Sequence, residues 1–333
     1  MTPSVAVFGA AGYAGALTAR LLHRHPSFDL QTVTGRSDVG RRLDDLYPHH
    51  RVALELEALD LDRHAGVDAA VVAYPHGAAA ELVAQLHRRG VRVVDLSADF
   101  RLRDAATYEE WYRPHPEPAL LASAAYGLPE RYREQIRGAE IVANPGCHPT
   151  VTLLALAPLA RAGLLGDVVV DAKAGVSGAG RGATEKTHFV TVDENVSAYG
   201  VPRHRHTPEI EQELGQLGSP VRITFTPHLL PLDQGELVSC YVTLPSGGSK
   251  DGDVMDLYPE MYEAEPFVEL VDSPPGVRDV RETNFCRISV HRDERTGRLI
   301  VFAVIDNLWK GAASQAVQNL NLMFGLPEGE GIS

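Results

Sequence analysis

The chain contains 333 residues, of which 44% are hydrophobic and 23% are charged, as in most soluble globular proteins. At about 150 residues per domain, this length favours two domains. The formal net charge of −13 argues against general nucleic-acid binding, which needs a basic surface. No apolar run approaches the roughly 18 residues of a membrane span, and the N-terminal residues do not resemble a signal peptide.

The first half of the chain alternates short apolar runs with helical patterns. Strands are predicted at residues 4–8, 30–34, 68–73, 91–96 and 140–143, and helices at residues 14–25 and 77–89. Strands that alternate with helices indicate parallel pairing and a doubly wound sheet.

The second half has a different pattern. Longer strands are predicted at residues 168–172, 221–226, 236–244, 286–291 and 299–305, and a last helix at residues 312–324. Because fewer helices separate these strands, a mixed or mostly antiparallel sheet is expected. The predicted fold class is therefore α/β, with a domain boundary near residues 144–149.

Three glycines, Gly9, Gly12 and Gly15, stand between the first strand and the first helix. Glycines in this spacing let the backbone approach a pyrophosphate, which then lies on the N–H groups of the helix N-terminus. A turn without a ligand also uses glycine, but the strand before and the helix after favour nucleotide binding. The predicted cofactor-binding residues of this turn are Gly9, Ala11, Gly12, Tyr13, Ala14 and Gly15.

The end of the second strand distinguishes between the two nicotinamide cofactors. An NAD site usually offers an acidic residue there for the ribose 2′-hydroxyl. This chain instead has Gly35, Arg36 and Ser37, with no acid before Asp38. Arg36 can pair with a 2′-phosphate and Ser37 can donate a hydrogen bond to it, unless Arg36 is simply solvated in a loop. NADP(H) is therefore the predicted cofactor.

The three cysteines lie far apart at Cys147, Cys240 and Cys286, with no C-x-x-C pair, so a reducing, cytoplasmic location is expected. Cys147 precedes Pro149 and a long apolar helix, and Pro suits the first turn of a helix. A cysteine at a helix N-terminus is favoured as a thiolate, which is the nucleophilic form. The alternative is a buried structural cysteine, which is the interpretation given to Cys240 and Cys286.

A thiolate that attacks a carbonyl needs a proton donor and acceptor nearby. Among 14 histidines the best local candidate is His206, because Thr207 is expected to cap a helix that begins at Pro208 and so to fix the preceding residue. His148, His188 and His228 remain competitors. No H-E-x-x-H motif and no Cys/His spacing typical of metal ligands is present, so no metal site is predicted.

These residues resemble the N-acetyl-gamma-glutamyl-phosphate reductases of arginine biosynthesis, nearly from end to end. The motifs that carry the resemblance are Gly9–Gly15, Asp95–Arg101, Tyr126–Glu130, Asn144–Cys147, Gly175–Arg181, His204–Ile210 and Asp306–Ala313. The chain departs from that family at His148, where tyrosine is usual, and at Trp309, where a small aliphatic residue is common.

The resemblance implies a Rossmann domain followed by an α/β domain of the glyceraldehyde-phosphate and semialdehyde dehydrogenase type. The expected domains are residues 1–148 for dinucleotide binding, 149–311 for catalysis and oligomerisation, and 312–333 as a helix that packs back on the first domain. Cys147 matches the nucleophile, His206 the acid–base residue and Asn307 a residue at the nicotinamide end of the cofactor. A homo-oligomer, dimer or tetramer, is expected.

The implied reaction is NADPH-dependent reduction of N-acetyl-L-glutamyl 5-phosphate to the 5-semialdehyde through a cysteine thioester. Arg101, Ser177, Gly178 and Arg181 are the expected anion-binding residues for the substrate, although either arginine can instead form a structural ion pair. The nearest alternative is the reductase of lysine biosynthesis that takes a carrier-linked aminoadipyl phosphate. Aspartate-semialdehyde dehydrogenase is less favoured because of residues 204–209, and a non-enzymatic NADPH-sensing module would leave Cys147 without a role.

Overall fold

The computed structural model describes residues 2–245 and 251–332, with the side chains of residues 251–253 left aside. The chain forms two compact units, one of Met1–Gly146 with Ala312–Ser333 and the other of Cys147–Gly311. The first unit ends at Gly146 rather than at the expected residue 148, because Cys147 already belongs to a helix of the second unit. No helix in the described ranges is long and apolar enough to cross a bilayer.

The first unit is built on a sheet of seven parallel strands. The strands are β1 (Ser4–Phe8), β2 (Asp29–Thr34), β3 (Leu56–Glu57), β4 (Ala69–Val72), β5 (Arg92–Asp95), β6 (Ala124–Tyr126) and β7 (Ile141–Ala143). Their order is β3-β2-β1-β4-β5-β7-β6, and every pair is parallel. The predicted doubly wound sheet is thus confirmed, and each predicted strand is present to within one residue at either end.

The helices of this unit connect those strands. They are α1 (Tyr13–His23), α2 (Leu43–Leu46), α3 (Leu61–His64), α4 (Ala80–Arg88), α5 (Ala105–Trp111) and α6 (Pro129–Arg137). The apolar face of α4 is buried at Leu82, Val83 and Leu86, where it packs with Val93 of β5 in one core cluster. The two strands of this unit that the sequence did not predict, β3 and β6, are the outer strands of the sheet. They have two and three residues, too few for a periodic pattern, and their extended form depends on pairing with a neighbour.

A single buried carboxylate, that of Asp99, holds the start of α4. The residue before this helix is Ala79, whose side chain cannot cap it. Asp99 accepts hydrogen bonds from the main-chain N–H groups of Gly77 at 2.6 Å, Ala79 at 2.9 Å and Ala80 at 3.0 Å, and from the Tyr108 hydroxyl at 2.9 Å. The distant carboxylate therefore replaces a local cap and favours the positive end of the helix dipole.

We expect Asp99→Ala to lower the free energy of unfolding by about 3 kcal/mol or more, since four buried donors lose their acceptor. Urea denaturation followed by circular dichroism measures the change. Asp104→Ala is the matched control, because Asp104 caps α5 through one main-chain N–H at the surface and its loss costs about 1 kcal/mol. Equal losses in the two variants would contradict the role given to Asp99.

The second unit contains a mixed sheet of seven strands, β12-β13-β14-β11-β8-β10-β9. The strands are β8 (Val168–Gly175), β9 (Ser197–Ala198), β10 (Ile223–Leu230), β11 (Glu236–Val242), β12 (Val268–Leu270), β13 (Cys286–Asp293) and β14 (Arg298–Ile305). The pairs β8–β10 and β12–β13 are parallel and the others antiparallel, which confirms the predicted mixed sheet. Strand β10 continues through Pro227, beyond the predicted end, because its pairing with β8 persists.

The helices of the second unit are α7 (Cys147–Arg161), α8 (Phe189–Val192), α9 (Thr207–Gly215) and α10 (Asp251–Tyr262). Helix α7 is buried from His148 to Ala160, so it is apolar around its whole circumference and packs on β11, β14 and α9. This burial explains why the sequence shows a continuous apolar run there. Cys147, at the N-terminus of this helix, is only partly buried, in contrast to the residues that follow it.

The last helix, α11 (Ser314–Met323), follows a π-helical turn at Trp309–Ala313 and belongs to the first unit. It packs against α1, α6 and β5. Asn319 Nδ2 donates to the carbonyl of Gly127 and to Oδ1 of Asn144, both at 2.9 Å, and Arg92 Nη1 donates to the Met323 carbonyl at 2.7 Å. These buried polar contacts fix the helix on the parallel sheet.

Candidate active site

The three glycines at the turn from β1 into α1 differ in whether the fold requires glycine at their position. Gly9 has φ +90°, and a Cβ there would lie 2.5 Å from the Ala73 carbonyl oxygen. A Cβ on Gly15 would collide with the Gly9 carbonyl. At Gly12, however, a Cβ would meet only the Gly9 oxygen at 3.8 Å, so the fold itself does not require glycine there. The bare backbone of Gly12 at the start of α1 fits a pyrophosphate that approaches the helix N-terminus.

The loop after β2 carries the residues predicted to select the cofactor. Arg36 and Ser37 are exposed just beyond the last residue of the strand, and Arg36 forms no salt bridge with any residue in the described ranges. Asp38, the nearest acid, is bonded to Arg41 at 3.2 Å. The loop therefore offers a cation and a hydroxyl, and its carboxylate is already engaged. This combination fits the 2′-phosphate of NADP(H) rather than a free ribose hydroxyl.

Cys147 is the first residue of α7 and is partly exposed, whereas Cys240 in β11 and Cys286 in β13 are buried. Pro149 occupies the third position of the helix, where no intrahelical N–H bond is lost. The backbone of Gly311 packs directly on Cys147, since a Cβ at Gly311 would lie 2.8 Å from Cys147 Cβ. The thiol thus lies at a helix N-terminus with its Cα position held from the opposite side.

His148, next to the cysteine, is buried and bonded at both ring nitrogens. Nδ1 bonds to the carboxylate of Glu236, which is also buried, and Nε2 lies 2.8 Å from the Tyr199 hydroxyl. Burial raises the pKa of the Tyr199 hydroxyl, and the charges of Cys147 and Glu236 raise it further. Tyr199 therefore stays protonated, and its hydroxyl is placed to donate to Nε2 while Nδ1 faces Glu236.

His204 and His206 lie beside this pair. The ring centroid of His148 is 5.4 Å from that of His204 and 5.4 Å from that of His206, and the latter two are 4.9 Å apart. One ligand atom each from Cys147, His148 and Glu236 lies within 4.8 Å of the others, so the thiol belongs to the same cluster. Of the competing histidines, His228 pairs with Asp171 at 3.1 Å and His188 is exposed.

The prediction that Thr207 caps a helix beginning at Pro208 is wrong. Helix α9 begins at Thr207 itself, and His206 occupies the N-cap position without a side-chain cap. The main-chain N–H of Thr207 donates to the His204 carbonyl at 3.0 Å, which draws Thr207 into the helix. His206 is held instead by the turn, because its own N–H donates to His204 Nδ1 at 3.2 Å.

The expected substrate residues occupy different places. Ser177 is buried and accepts a hydrogen bond from Asn307 Nδ2 at 3.0 Å, while Asn307 Oδ1 accepts from the Gly235 N–H at 2.7 Å. Gly178 lies next to this pair, and Arg181 is exposed beyond it.

Arg101 is buried in the first unit, where Nε donates to the Asn144 carbonyl at 2.7 Å and Nη2 to that of Leu96 at 2.8 Å. Arg101 thus fixes the loop that leads to Cys147.

Glu236 and Tyr199 were missed by sequence reasoning. Glu236 opens an otherwise apolar strand, and a charged residue at the start of a buried strand is the signal that could have identified it. Tyr199 offers no such signal, because nothing in its local sequence indicates that it reaches His148.

The exposure of the three cysteines predicts their order of alkylation. Under native conditions iodoacetamide should modify Cys147 and leave Cys240 and Cys286 unmodified, since the latter two are buried and burial raises the pKa of the Cys240 thiol. Peptide mass spectrometry after a short reaction measures this, and Cys147→Ser should show no early labelling. Labelling of Cys240 at the same rate in the folded chain would contradict the assignment.

Two family models match the chain. The model described as semialdehyde dehydrogenase, NAD binding domain, matches residues 4–139, and the one described as semialdehyde dehydrogenase, dimerisation domain, matches residues 147–307. An N-acetyl-gamma-glutamyl-phosphate reductase of Desulforudis audaxviator is 49% identical over 339 aligned residues, covering 98% of this chain and 97% of the relative. A protein of the same name from Geobacter sulfurreducens is 48% identical over 337 residues, with 98% and 97% coverage.

Solved structures with the same fold are aspartate semialdehyde dehydrogenases. That of Vibrio cholerae, complexed with ASA, has a TM-score of 0.73 at 20% identity and covers 98% of this chain and 99% of its own. That of Candida albicans, with NADP, has a TM-score of 0.73 at 14% identity and covers 97% and 99%. At these identities the likeness shows the fold alone, and it confirms the predicted fold class.

Proposed function

This chain belongs to the N-acetyl-gamma-glutamyl-phosphate reductase family, and we propose that it reduces N-acetyl-L-glutamyl 5-phosphate with NADPH. The products are N-acetyl-L-glutamate 5-semialdehyde and inorganic phosphate. The observation that carries the proposal, besides the full-length similarity, is a partly exposed cysteine at a helix N-terminus within a cluster of histidines. These are the groups that an acyl-transfer step through a thioester needs.

The first chemical step is attack of the Cys147 sulfur on the acyl carbon. A C–S bond forms, the bond from carbon to the phosphate oxygen breaks, and phosphate leaves with the electron pair. The N-terminus of α7 favours the thiolate before attack. N–H groups of the first turn of α7 are also placed to donate to the oxyanion that develops on the carbonyl oxygen.

NADPH, when bound, would supply hydride to the thioester carbonyl, and one proton from protonated His206 would complete the thiohemiacetal and leave His206 neutral. The residues that would hold it are the backbone of Gly9–Gly15 at the pyrophosphate, and Gly35, Arg36 and Ser37 at the 2′-phosphate. Asn307 would bind at the nicotinamide end, where its bonds to Ser177 and Gly235 orient its amide.

Collapse of the thiohemiacetal releases the aldehyde and leaves a negative charge on sulfur, while its hydroxyl gives up a proton. His206 accepts that proton, as a neutral imidazole near the thiol can. His148 has a different task, because both its nitrogens are already bonded to Glu236 and Tyr199. We assign it to positioning of the thiol rather than to proton transfer.

The remaining parts of the proposal concern substrate anions and assembly. Arg181, Ser177 and Gly178 supply contacts for the phosphate or carboxylate, and Arg101 acts by holding the Asn144 loop. Dinucleotide binding is assigned to the first unit, which includes the last helix, and catalysis and oligomerisation to the second unit, Cys147–Gly311. The match to a dimerisation domain supports a homo-oligomer, dimer or tetramer. The cytoplasm is the proposed location.

The proposed activity is tested in the reverse direction, as phosphate-dependent formation of NADPH from N-acetylglutamate semialdehyde without any carrier protein. Cys147→Ser should lose at least about 10³-fold in kcat, since a serine hydroxyl is a far weaker nucleophile. NADP⁺ binding by fluorescence titration should stay within twofold. Cys240→Ala, a buried cysteine in β11, is the control for the loss of a thiol. Full turnover by Cys147→Ser would exclude the thioester.

Cofactor choice depends on Arg36 in the loop after β2. Arg36→Ala should raise the KM for NADPH by about 10- to 100-fold, because a charge-assisted bond to phosphate is worth about 1.5–3 kcal/mol. The KM for NADH should change little. Arg41→Ala is a matched control, since Arg41 pairs with Asp38 in the same loop. Equal increases for both cofactors would show that Arg36 does not contact the 2′-phosphate.

Kinetic measurements distinguish the role of His206 from that of His148. His206→Asn should lower kcat by about 10²–10⁴, the usual contribution of a general acid–base group. His148→Gln keeps a donor toward Glu236 and should lower kcat much less, while slowing alkylation of Cys147. The reverse order of the two kcat losses would transfer the proton-moving role to His148.

A further inference from the structure

Three imidazole rings, those of His148, His204 and His206, form a compact triangle, although the proposed proton transfer uses only His206. Their ring centroids are 4.9–5.4 Å apart, and every pair meets edge to face, with interplanar angles of 69–77°. One nitrogen from each ring lies within 4.8 Å of those from the other two. His148 lies at the start of α7, whereas His204 and His206 lie in the turn before α9. The spacing of these residues in the sequence therefore does not predict that the three rings meet.

This arrangement is close to the one a transition-metal ion needs. In a tetrahedral zinc site each Zn–N bond is about 2.0–2.1 Å, which places the ligand nitrogens roughly 3.4 Å apart. The rings must therefore close in by about an ångström or less around the ion. His148 Nε2 already lies 2.8 Å from a side-chain donor, the Tyr199 hydroxyl, and a cation can take the place of that donor.

Glu236 supplies a second, independent reason to expect a cation. Its side chain is fully buried, and its Oε2 accepts no hydrogen bond from any residue that the structure describes. Its other oxygen is bonded to His148 Nδ1. A carboxylate on the far nitrogen of a histidine is the usual outer partner of a zinc-bound imidazole, because it fixes the ring and increases its basicity. Its negative charge also offsets that of the ion.

We propose that His148, His204 and His206 bind one Zn²⁺ ion, and that the bound ion reversibly blocks the reductase. Glu236 acts as the outer partner of His148, and the Tyr199 hydroxyl gives up His148 Nε2 to the ion. Three protein nitrogens leave a fourth position open, and imidazole suits zinc among the available divalent ions. Inhibition rests on the proposed role of His206, whereas binding of the ion does not depend on the proposed function.

Binding is measured first, on the full chain freed of metal with EDTA and then titrated with Zn²⁺ by isothermal calorimetry. We expect one ion per chain. His148→Gln and His204→Gln should each weaken binding at least 100-fold, and Glu236→Gln should weaken it by about 10- to 100-fold, as loss of an outer partner does. Tyr199→Phe should retain binding, because it removes the competing donor. His188→Gln, at an exposed histidine, is the matched control.

Co²⁺ gives a readout that does not depend on heat or activity. The wild-type chain should show the visible absorption of four- or five-coordinate Co²⁺ at one equivalent, and His148→Gln should show only the hexa-aquo spectrum. Circular dichroism and thermal unfolding of each variant identify any that fails to fold, and His204→Gln then replaces His148→Gln as the deciding variant. No binding by the folded wild-type chain, or binding by both histidine variants as tight as that of the wild-type chain, would overturn the site.

The inhibition is tested with the reverse assay in a buffer that does not chelate metals. Zn²⁺ should inhibit the wild-type chain, EDTA should restore its activity, and Glu236→Gln should need about 10- to 100-fold more Zn²⁺ for half-inhibition. Binding without any reductase activity would leave the metal site intact and refute the proposed function. Activity that persists with the site saturated would refute the inhibition.

Discussion

Burial of the Glu236 carboxylate is costly unless it accepts a hydrogen bond, and its bond to His148 Nδ1 organises the candidate site around it. One nitrogen of His148 is committed to Glu236, so the other is left to accept from Tyr199. These two bonds hold the ring in one orientation. Because His148 directly follows Cys147, holding this ring also restrains the first turn of α7, where the thiol lies.

The surroundings of α7 strengthen this effect. The helix is buried along almost its whole length, so its dipole acts in a medium of low polarisability. Cys147, the first residue of the helix, is the residue of this first turn that is partly exposed to solvent. Gly311 packs against the cysteine with no room for a side chain. The position of Cys147 is thus set by packing against Gly311 and by the hydrogen bonds of the neighbouring His148.

The candidate sites of the two units are built from different kinds of groups. In the first unit the candidate cofactor turn works through its backbone, which Gly12 leaves uncovered, and the parallel sheet holds it in place. Asp99 and the last helix stabilise that sheet with buried hydrogen bonds rather than with ligand contacts. In the second unit the candidate site is made of side chains from α7, the turn before α9 and the start of β11. A cluster of this kind can serve proton transfer and can also attract a metal ion.

The sequence by itself determined the features that depend on neighbours along the chain. Alternation of strands and helices predicted the parallel sheet. Local sequence also predicted the glycine turn, the loop at Arg36 and the position of Cys147 at a helix N-terminus, because each depends on residues next to it in the chain. Only the tertiary structure decided which distant groups meet: Glu236 with His148, Tyr199 with the same ring, and three histidines in one triangle. It also showed Arg101 bound to main-chain carbonyls and α9 beginning at Thr207. These outcomes depend on burial and on pairing across the sheet, and neither quantity is encoded in the spacing of residues along one segment.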